Sequence, residues 1–354
     1  MRYHATGETS ETRILEDFEH SLAAARSGDT EAFSQLTEPY RLELRAHCYR
    51  MLGSLEDAED LVQETFLRAW RRIQTYEGRA SFRAWLYKIA TNASLDALER
   101  LPKRSLPIEE GDSGAQVPAQ QAAGSEPAWV EPFPDAWMSA HSAGPEARYD
   151  AYESISLAFL VALQILPPRQ RTVLILVDVM DWAIAESADL LEISLTAATS
   201  LLHRARVTMK QRNQFGKLHR SKMGFPDDQT RQLLGRYARA WESADLDGII
   251  ALLADDAIFP MPPMPAAILG KQAMAAFFAQ NLFAGDARGR WKLVPIRANG
   301  QPGFAFYQVD AATQQYHAFV LQVLTIEKGR VVHATTFGFP ALFQYFDLPA
   351  LLPG

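Results

Sequence analysis

The sequence predicts a multidomain chain, with two all-α helical modules followed by a C-terminal α+β domain. Three observations predict it. A length of 354 residues corresponds to about two or three folding units. Helical apolar spacing, with no strand alternation, runs through residues 11–100 and resumes at 155. Beyond Asp228, helices give way to alternating apolar segments separated by turn signals.

Composition is ordinary for a globular chain, 48% hydrophobic and 22% charged. A formal charge of −7, taken whole, argues against a phosphate-bearing partner. Its distribution removes that objection. Residues 105–150 hold one basic and eight acidic side chains, so the remainder of the chain is neutral. Residues 204–222 hold seven basic side chains and no acidic one. The 105–150 stretch carries Pro107, Pro118, Pro127, Pro132, Pro134 and Pro145 and lacks periodicity, so it reads as a linker. Glu109, Glu110, Asp112 and Glu126 within it are candidates to shield the basic stretch. Its middle, Trp129-Val130-Glu131-Pro132-Phe133-Pro134-Asp135-Ala136-Trp137, is too aromatic for an inert tether. Docking on a neighbouring domain is expected there; a sticky but unstructured stretch is the other reading.

The single cysteine, Cys48, excludes an internal disulfide framework and a multi-cysteine zinc site. No metal and no cofactor is expected. No apolar run approaches the roughly 18–20 residues of a membrane span, and residues 1–10 lack a signal-peptide core. A cytoplasmic protein with no membrane partner is the expectation.

In the first module, expected over 11–104, the informative helix covers residues 55–70. Ser54 followed by Asp57 is a capping-box-like start. Leu55, Ala58, Leu61, Val62, Phe66 and Ala69 make its apolar stripe. Asp57, Asp60 and Glu64 share another face, with Gln63 beside them; on spacing alone that face can simply be solvated. The next helix begins near Ser81, with Phe82, Trp85, Leu86, Ile89, Ala93 and Ala97 as its stripe. Arg83, Tyr87, Thr91 and Ser94 fall away from it, and Lys88 and Asn92 flank it. Together with Arg68, Arg71, Arg72 and Arg79 they make a basic and aromatic cluster, the combination that grips single-stranded DNA. Core packing of Phe82 and Trp85 is the competing reading.

Two of these stretches, Asp57-Ala58-Glu59-Asp60-Leu61-Val62-Gln63-Glu64-Thr65-Phe66 and Phe82-Arg83-Ala84-Trp85-Leu86-Tyr87-Lys88-Ile89-Ala90-Thr91-Asn92, resemble region 2 of bacterial RNA polymerase sigma factors. The resemblance is greatest to the extracytoplasmic-function subgroup. It implies that Asp57, Asp60, Leu61, Gln63 and Glu64 meet the β′ clamp of core RNA polymerase. It also implies that Arg79, Arg83, Trp85, Lys88 and Asn92 open and read the promoter −10 element, with Asp96 a further candidate.

The second module, expected over 151–222, starts with an apolar helix at 155–166 that ends at Pro167-Pro168. A helix over 172–180 follows. Then 184–191, the turn Glu192-Ile193-Ser194 and a long helix from Leu195 to about Arg212 have helix-turn-helix lengths. The long helix carries Thr196, Thr199, Ser200, His203, Arg204 and Arg206, suited to base edges and phosphates. A plain helical hairpin with a solvated basic end fits the same residues. Leu166-Pro167-Pro168-Arg169-Gln170-Arg171-Thr172-Val173-Leu174 and His203-Arg204-Ala205-Arg206 resemble sigma region 4. That resemblance implies −35 recognition by the six residues of the long helix and contact with the polymerase β flap. Ser187 replaces a buried Ile or Val, Glu192 a turn Gly, Ala198 a core Val and Val177 an Arg. The smaller side chains Ser187 and Ala198 lower interhelical burial by ~1–3 kcal/mol. Glu192 is strained if its φ is positive.

The third module, expected over 226–354, reads as helices at 228–242 and 246–253 and a third at 271–281. Strands follow near 291–297, 304–310, 316–327 and 330–339, as an antiparallel meander. Glu327-Lys328-Gly329-Arg330 is a hairpin turn signal. Tyr237-Ala238-Arg239-Ala240-Trp241-Glu242, Ala257-Ile258-Phe259, Arg297-Ala298-Asn299-Gly300-Gln301-Pro302 and the closing Ala341-Leu342-Phe343 to Phe346-Asp347-Leu348-Pro349 resemble the SnoaL-like, polyketide-cyclase-type domain. That implies a cone-shaped α+β barrel with an internal pocket. Trp241, Phe259, Met261, Met264, Tyr307 and Phe319 are the candidate lining for a small apolar ligand. His317, His333, Asp255, Asp256 and Asp310 are the available acids and bases, with no diagnostic spacing among them.

The expected function is promoter-specific transcription initiation with bacterial core RNA polymerase and promoter DNA as partners. The C-terminal domain would regulate by intramolecular docking or ligand binding. The alternative is a ligand-binding or polyketide-cyclase-like enzyme fused to a DNA-binding front end.

Overall fold

The computed structural model describes residues 8–101, 104, 129–138, 154–215, 226–264 and 267–354. The linker acids Glu109, Glu110, Asp112 and Glu126 lie outside the described residues.

The first module is built from α1 (Glu8–Arg26), α2 (Thr30–Thr37), α3 (Arg41–Leu52), α4 (Leu55–Arg72) and α5 (Phe82–Leu98). Local chemistry sets the helix ends. Asp29 accepts the N–H groups of Glu31 and Ala32 at 2.9 and 3.1 Å, opening α2. Gly53 closes α3 at φ 75°, a left-handed angle that glycine adopts without strain. Ser81 accepts from Ala84 N–H at 3.1 Å and opens α5. That helix corrects one sequence expectation. Tyr87, Thr91 and Ser94, placed away from the apolar stripe, are buried. The polar members find partners on α3: Thr91 Oγ1 lies 2.9 Å from His47 Nε2, and Ser94 Oγ lies 3.9 Å from Cys48 Sγ. A helix packed on two sides carries no single stripe, and periodicity alone misses the second face.

The second module comprises α6 (Leu157–Ile165), α7 (Pro168–Leu174) running into a π-helical turn (Ile175–Val179), α8 (Ile184–Leu190) and α9 (Leu195–Phe215). The expected helix at 172–180 therefore starts earlier, where Pro168 suits a first turn that needs no N–H, and ends in wider winding. Ser187 and Ala198 are both fully buried, and Ser187 Oγ turns back to Ala183 O at 3.4 Å. Glu192 has φ 56°, so the residue standing in place of glycine takes the left-handed conformation.

The third module places α10 (Asp228–Glu242) and α11 (Leu246–Leu252) before β1 (Leu253–Pro260) and β2 (Ala267–Leu269). Next come α12 (Lys271–Phe277), β3 (Trp291–Ala298), β4 (Gln301–Val309), β5 (Tyr316–Glu327), β6 (Arg330–Phe337) and β7 (Leu351–Leu352). The sheet order is β2-β1-β6-β5-β4-β3, with β7 on β5. β3 to β6 form the expected antiparallel meander, and β1, not anticipated as a strand, joins β6 in parallel. β1 escapes sequence reading because Asp255 and Asp256 interrupt its apolar run where the strand is exposed. Asn299-Gly300 and Lys328-Gly329 turn the hairpins with positive φ at both central positions, the geometry that follows strand twist.

The sheet is apolar on both faces. Phe304 and Phe306 of β4 and Leu324 of β5 join Trp241 and Phe278 in the domain's own core. Ala305, Tyr307, Leu321 and Val323 face the other way, into a continuous core shared with both helical modules. Strand alternation thus serves two cores at once.

Candidate polymerase and promoter surfaces and the clasp between them

On α4 the residues expected to meet polymerase divide into engaged and open. Asp57 pairs with Arg104 at 2.7 Å, and Glu64 pairs with Arg68 at 2.7 Å. Asp60 and Gln63 are exposed, and Leu61 is half-buried. Ser54 Oγ accepts from Asp57 N–H at 3.3 Å, as the capping pattern suggests. A second acceptor comes from elsewhere: Glu131 of the linker takes the Leu55 N–H at 2.6 Å. A carboxylate on the first turn meets the positive end of the helix dipole.

The residues expected on the −10 element cluster around α5. Arg83 pairs with Glu43 at 2.8 Å and lies over the Tyr87 ring. Trp85 is half-buried against Tyr76 and Phe82. Arg79 is exposed and pairs with Glu77, and Asn92 is exposed. Lys88 pairs at 2.9 Å with Glu192, the turn residue of the second module, which holds the Glu192 carboxyl below its usual range. The ring of Tyr87 meets Trp182 nearby, so the second module folds over this face.

Along α9, Thr196, Thr199, Ser200, His203 and Arg204 are exposed on one helix. Thr199 and Ser200 hydroxyls donate to the carbonyls of Leu195 and Thr196. Arg206 is fixed by a two-pronged pair with Asp178 at 3.0 and 2.6 Å, which sets it apart from the other five.

The segment 129–138 docks, and both sides of its contact are specific. Toward the first module, Glu131 N–H donates to Gly53 O at 3.0 Å, Tyr49 donates to Glu131 O, and Arg104 donates to Trp129 O at 3.0 Å. Arg45 stacks 4.0 Å over Trp137. Toward the third module, Phe133 N–H donates to Asn299 Oδ1 at 2.9 Å, and Asn299 N–H returns to Phe133 O at 2.9 Å. Asp135 pairs with Arg297 at 3.0 Å and accepts from Gly300 N–H at 2.8 Å. Asn299 Nδ2 also donates to Ile155 O at 2.6 Å, tying in the second module. Burial pushes the carboxyls of both Glu131 and Asp135 above their ordinary range.

Arg104, Arg45, Arg297 and Asn299 were not legible as contact residues. Arg297 and Asn299 entered only within the stretch that resembles the SnoaL-like domain, with no contact implied. Two further cations sit at the end of α3, and of the two Arg171 donates to a carbonyl of the helix itself. Arg50 donates to Ser154 O and Oγ, while Arg171 donates to Met51 O and Gln164. Burial pushes both down to about 10. Carbonyls at a helix C-terminus suit a guanidinium.

The domain's internal cavity has a volume of about 330 Å³. Trp241, Phe259, Met261, Met264 and Phe319 line it as expected. Tyr307 does not, which corrects the sequence reading. Strand alternation sends Phe306 into the cavity and Tyr307 to the opposite face, where its ring meets Phe343 and its hydroxyl donates to Pro349 O at 2.9 Å. Gln322 and Thr336 are the polar lining residues, and His317, His333, Asp255, Asp256 and Asp310 are not among the lining residues.

Among the described residues, no helix is long and apolar enough to cross a membrane. Residues 36–104 match the family Sigma-70 region 2, residues 156–209 match Sigma-70, region 4, and residues 234–334 match the SnoaL-like domain. The chain is 42% identical over 337 residues to the ECF RNA polymerase sigma factor SigG of Mycobacterium tuberculosis, covering 95% of this chain and 88% of that protein. It is 29% identical over 194 residues to the ECF RNA polymerase sigma factor SigW of Bacillus subtilis, covering 54% of this chain and 93% of that one. Its fold is similar to the crystal structure of the Mycobacterium tuberculosis extracytoplasmic function sigma factor SigJ, with a TM-score of 0.56 and 25% identity over 88% of this chain and 98% of that chain. The ordered helical surfaces, the helix-turn-helix and the appended α+β domain, together with these likenesses, establish that the chain belongs to the extracytoplasmic-function (ECF) RNA polymerase sigma factor family.

Proposed function

We propose that the C-terminal domain regulates this sigma factor by holding both sigma modules in a closed arrangement through the 129–138 segment, and that core RNA polymerase competes with that closure. The protein directs promoter-specific transcription initiation. In this reading Asp57, Asp60, Leu61, Gln63 and Glu64 engage the β′ clamp, and residues 11–104 act as one unit with α5 on the −10 element. Residues 151–222 contact the β flap and read −35 DNA through α9, with Arg206 reaching DNA only after leaving Asp178. Residues 226–354 are the regulatory unit.

One observation carries the proposal. Glu131 occupies the N-terminus of α4 and Arg104 occupies Asp57, while the same segment is locked to Asn299, Gly300 and Arg297 of the C-terminal domain. The Lys88–Glu192 pair adds a second occlusion, on the −10 face. The C-terminal domain acts without catalysis in this reading, which the placement of every acid and base candidate outside the cavity lining supports.

Arg297→Ala leaves Asp135 buried without its ion-pair partner, a loss of ~3 kcal/mol from the closed state. Affinity for core polymerase, measured by binding of labelled protein, should then rise, and run-off transcription should rise with it. Unchanged or lower affinity would refute competition between closure and polymerase.

A further inference from the structure

The outer face of α10, the first helix of the C-terminal domain, carries a charge pattern that neither the clasp nor the cavity uses. The helix buries Leu233, Tyr237, Ala240 and Trp241 against the domain's core. On the opposite side Arg231, Arg236 and Arg239 are all exposed. At 3.6 residues per turn the three share one face, and at 1.5 Å per residue they span ~12 Å along the helix. Arg231 pairs with Asp228 in the first turn. Arg236 and Arg239 make no ion pair among the described residues. The acid at the far end, Glu242, is turned away from them, accepting from Leu293 N–H at 3.1 Å.

Gly235 lies in the middle of this face. Glycine inside a helix is destabilising relative to alanine. No packing requires it here, since a Cβ at that position would meet only Arg239 Nη1, at 3.4 Å. Its effect is a shallow floor between the three guanidinium groups, open to close approach by another backbone.

The chain enters α10 from the long helix of the helix-turn-helix. From Ile193 to Pro226 it has seven basic residues and no acidic one, so the arginines of α10 continue a cationic tract that begins on α9. Guanidinium groups match phosphate oxygens by paired N–H donation. Several in a row suit the phosphates of one strand, which follow one another about every 3.4 Å along the duplex axis. A protein partner calls for aromatic or aliphatic anchors at the centre of the contact. This face has none: the other exposed residues of the helix are Asp228, Gln229 and Gln232.

We propose that this face of α10 docks on the sugar–phosphate backbone of duplex DNA, adding sequence-independent contacts from the C-terminal domain to those of α9. The face is exposed while Lys88 and Glu192 are paired, so docking requires no opening of the modules. It is independent of the regulatory role given above to the C-terminal domain.

The test is the salt dependence of binding of the full-length protein to a fluorescein-labelled duplex, read by anisotropy. Each phosphate contact contributes about 0.9 to the slope of log K against log salt. Replacing Arg231, Arg236 and Arg239 together by Gln keeps the helix propensity and should lower that slope by about two to three, with about tenfold or more loss of affinity at low salt. Asp228→Asn, which removes the one acid from the face, should tighten binding. The same change of charge elsewhere on the domain, Arg288→Gln with Lys292→Gln and Lys328→Gln, should leave slope and affinity close to those of the wild type. Arg204→Gln reports on α9 separately, so failure of DNA reading by α9 is distinguishable from failure of the α10 face. No binding by the wild type at low salt, an unchanged slope in the α10 triple variant, or an equal loss in the control variant would each overturn the proposal. So would a loss of core-polymerase affinity with the DNA slope intact, which would assign the face to a protein partner.

Discussion

At the scale of residues, the most constrained group is His47. It is fully buried, its Nε2 meets Thr91 Oγ1 at 2.9 Å, and Nδ1 has no hydrogen-bond partner among the described residues. Burial pushes its pKa down to about 3, with Arg50 and then Arg83 adding to the shift. In the unfolded chain the ring takes a proton near pH 6.5; in the folded protein it does not until about pH 3. Stability is therefore fully present above pH 6.5 and falls as pH drops through that window, by up to ~1.4 kcal/mol per pH unit. Thermal melts of the wild type and of His47→Gln between pH 7.5 and 4.5 should show a shallower slope for the variant. Neither the burial nor the sign was legible in the sequence, where His47 sits in a helix of weak amphipathicity. Only the approach of α5 from the far side buries it.

Elements tell a different story, because helices announced themselves and contacts did not. The stripe and cap of α4 were readable from Ser54 and the spacing of Leu55, Ala58 and Val62, all buried. That its second capping group is Glu131, many residues away, depends on the chain's return path. The clasp carries its own pH dependence, opposite in sign to that of His47. Glu131 and Asp135 have raised pKa values, caused first by burial. The docked segment holds these protons at pH values where the free segment has released them. Its stability thus rises as pH falls toward the raised values and levels off below the ordinary carboxylate range. Hydrogen exchange of the non-proline amides over 130–137, corrected for intrinsic rate, should show protection rising as pH is lowered from 7.5 toward the ordinary carboxylate range. Glu131→Gln, which keeps an acceptor for Leu55 N–H, should flatten the rise. Tyr307 is the counterexample among the aromatics: alternation is a local property, but which face of a strand lines a cavity depends on the sheet's partners.

In the whole molecule, one side chain joins all three modules. Asn299 is fully buried, accepts from Phe133 N–H, donates to Ile155 O, and sits at φ 56° on a hairpin turn. Asn299→Ala leaves a buried donor and a buried acceptor unpaired and puts a Cβ-bearing residue at a left-handed angle without side-chain support. The loss is roughly 2–4 kcal/mol, drawn from closure and not from the sheet's own core. Small-angle scattering should show a larger radius of gyration, and proteolysis near residue 129 should accelerate. An unchanged scattering profile would mean that the shared apolar core alone suffices to hold the arrangement.

The sequence by itself determined the helical texture of the first two modules, the turn residues at 328–329, the acidic and basic segregation along the chain, and a family likeness carried by contiguous motifs. These are properties of neighbours in the chain, governed by periods of 3.6 and 2 and by backbone angles. Tertiary structure alone decided the second buried face of α5, the parallel seat of β1, the side of the sheet that Tyr307 takes, and the partners of Glu131, Asp135 and Asn299. Each of these depends on which distant surface arrives, and apolar burial on both faces of one sheet leaves no local trace that distinguishes an internal cavity from a docking face. The −7 charge follows the same rule: its acids cluster in the linker, and only the fold shows that Glu131 and Asp135 among them are buried at the joint between the modules.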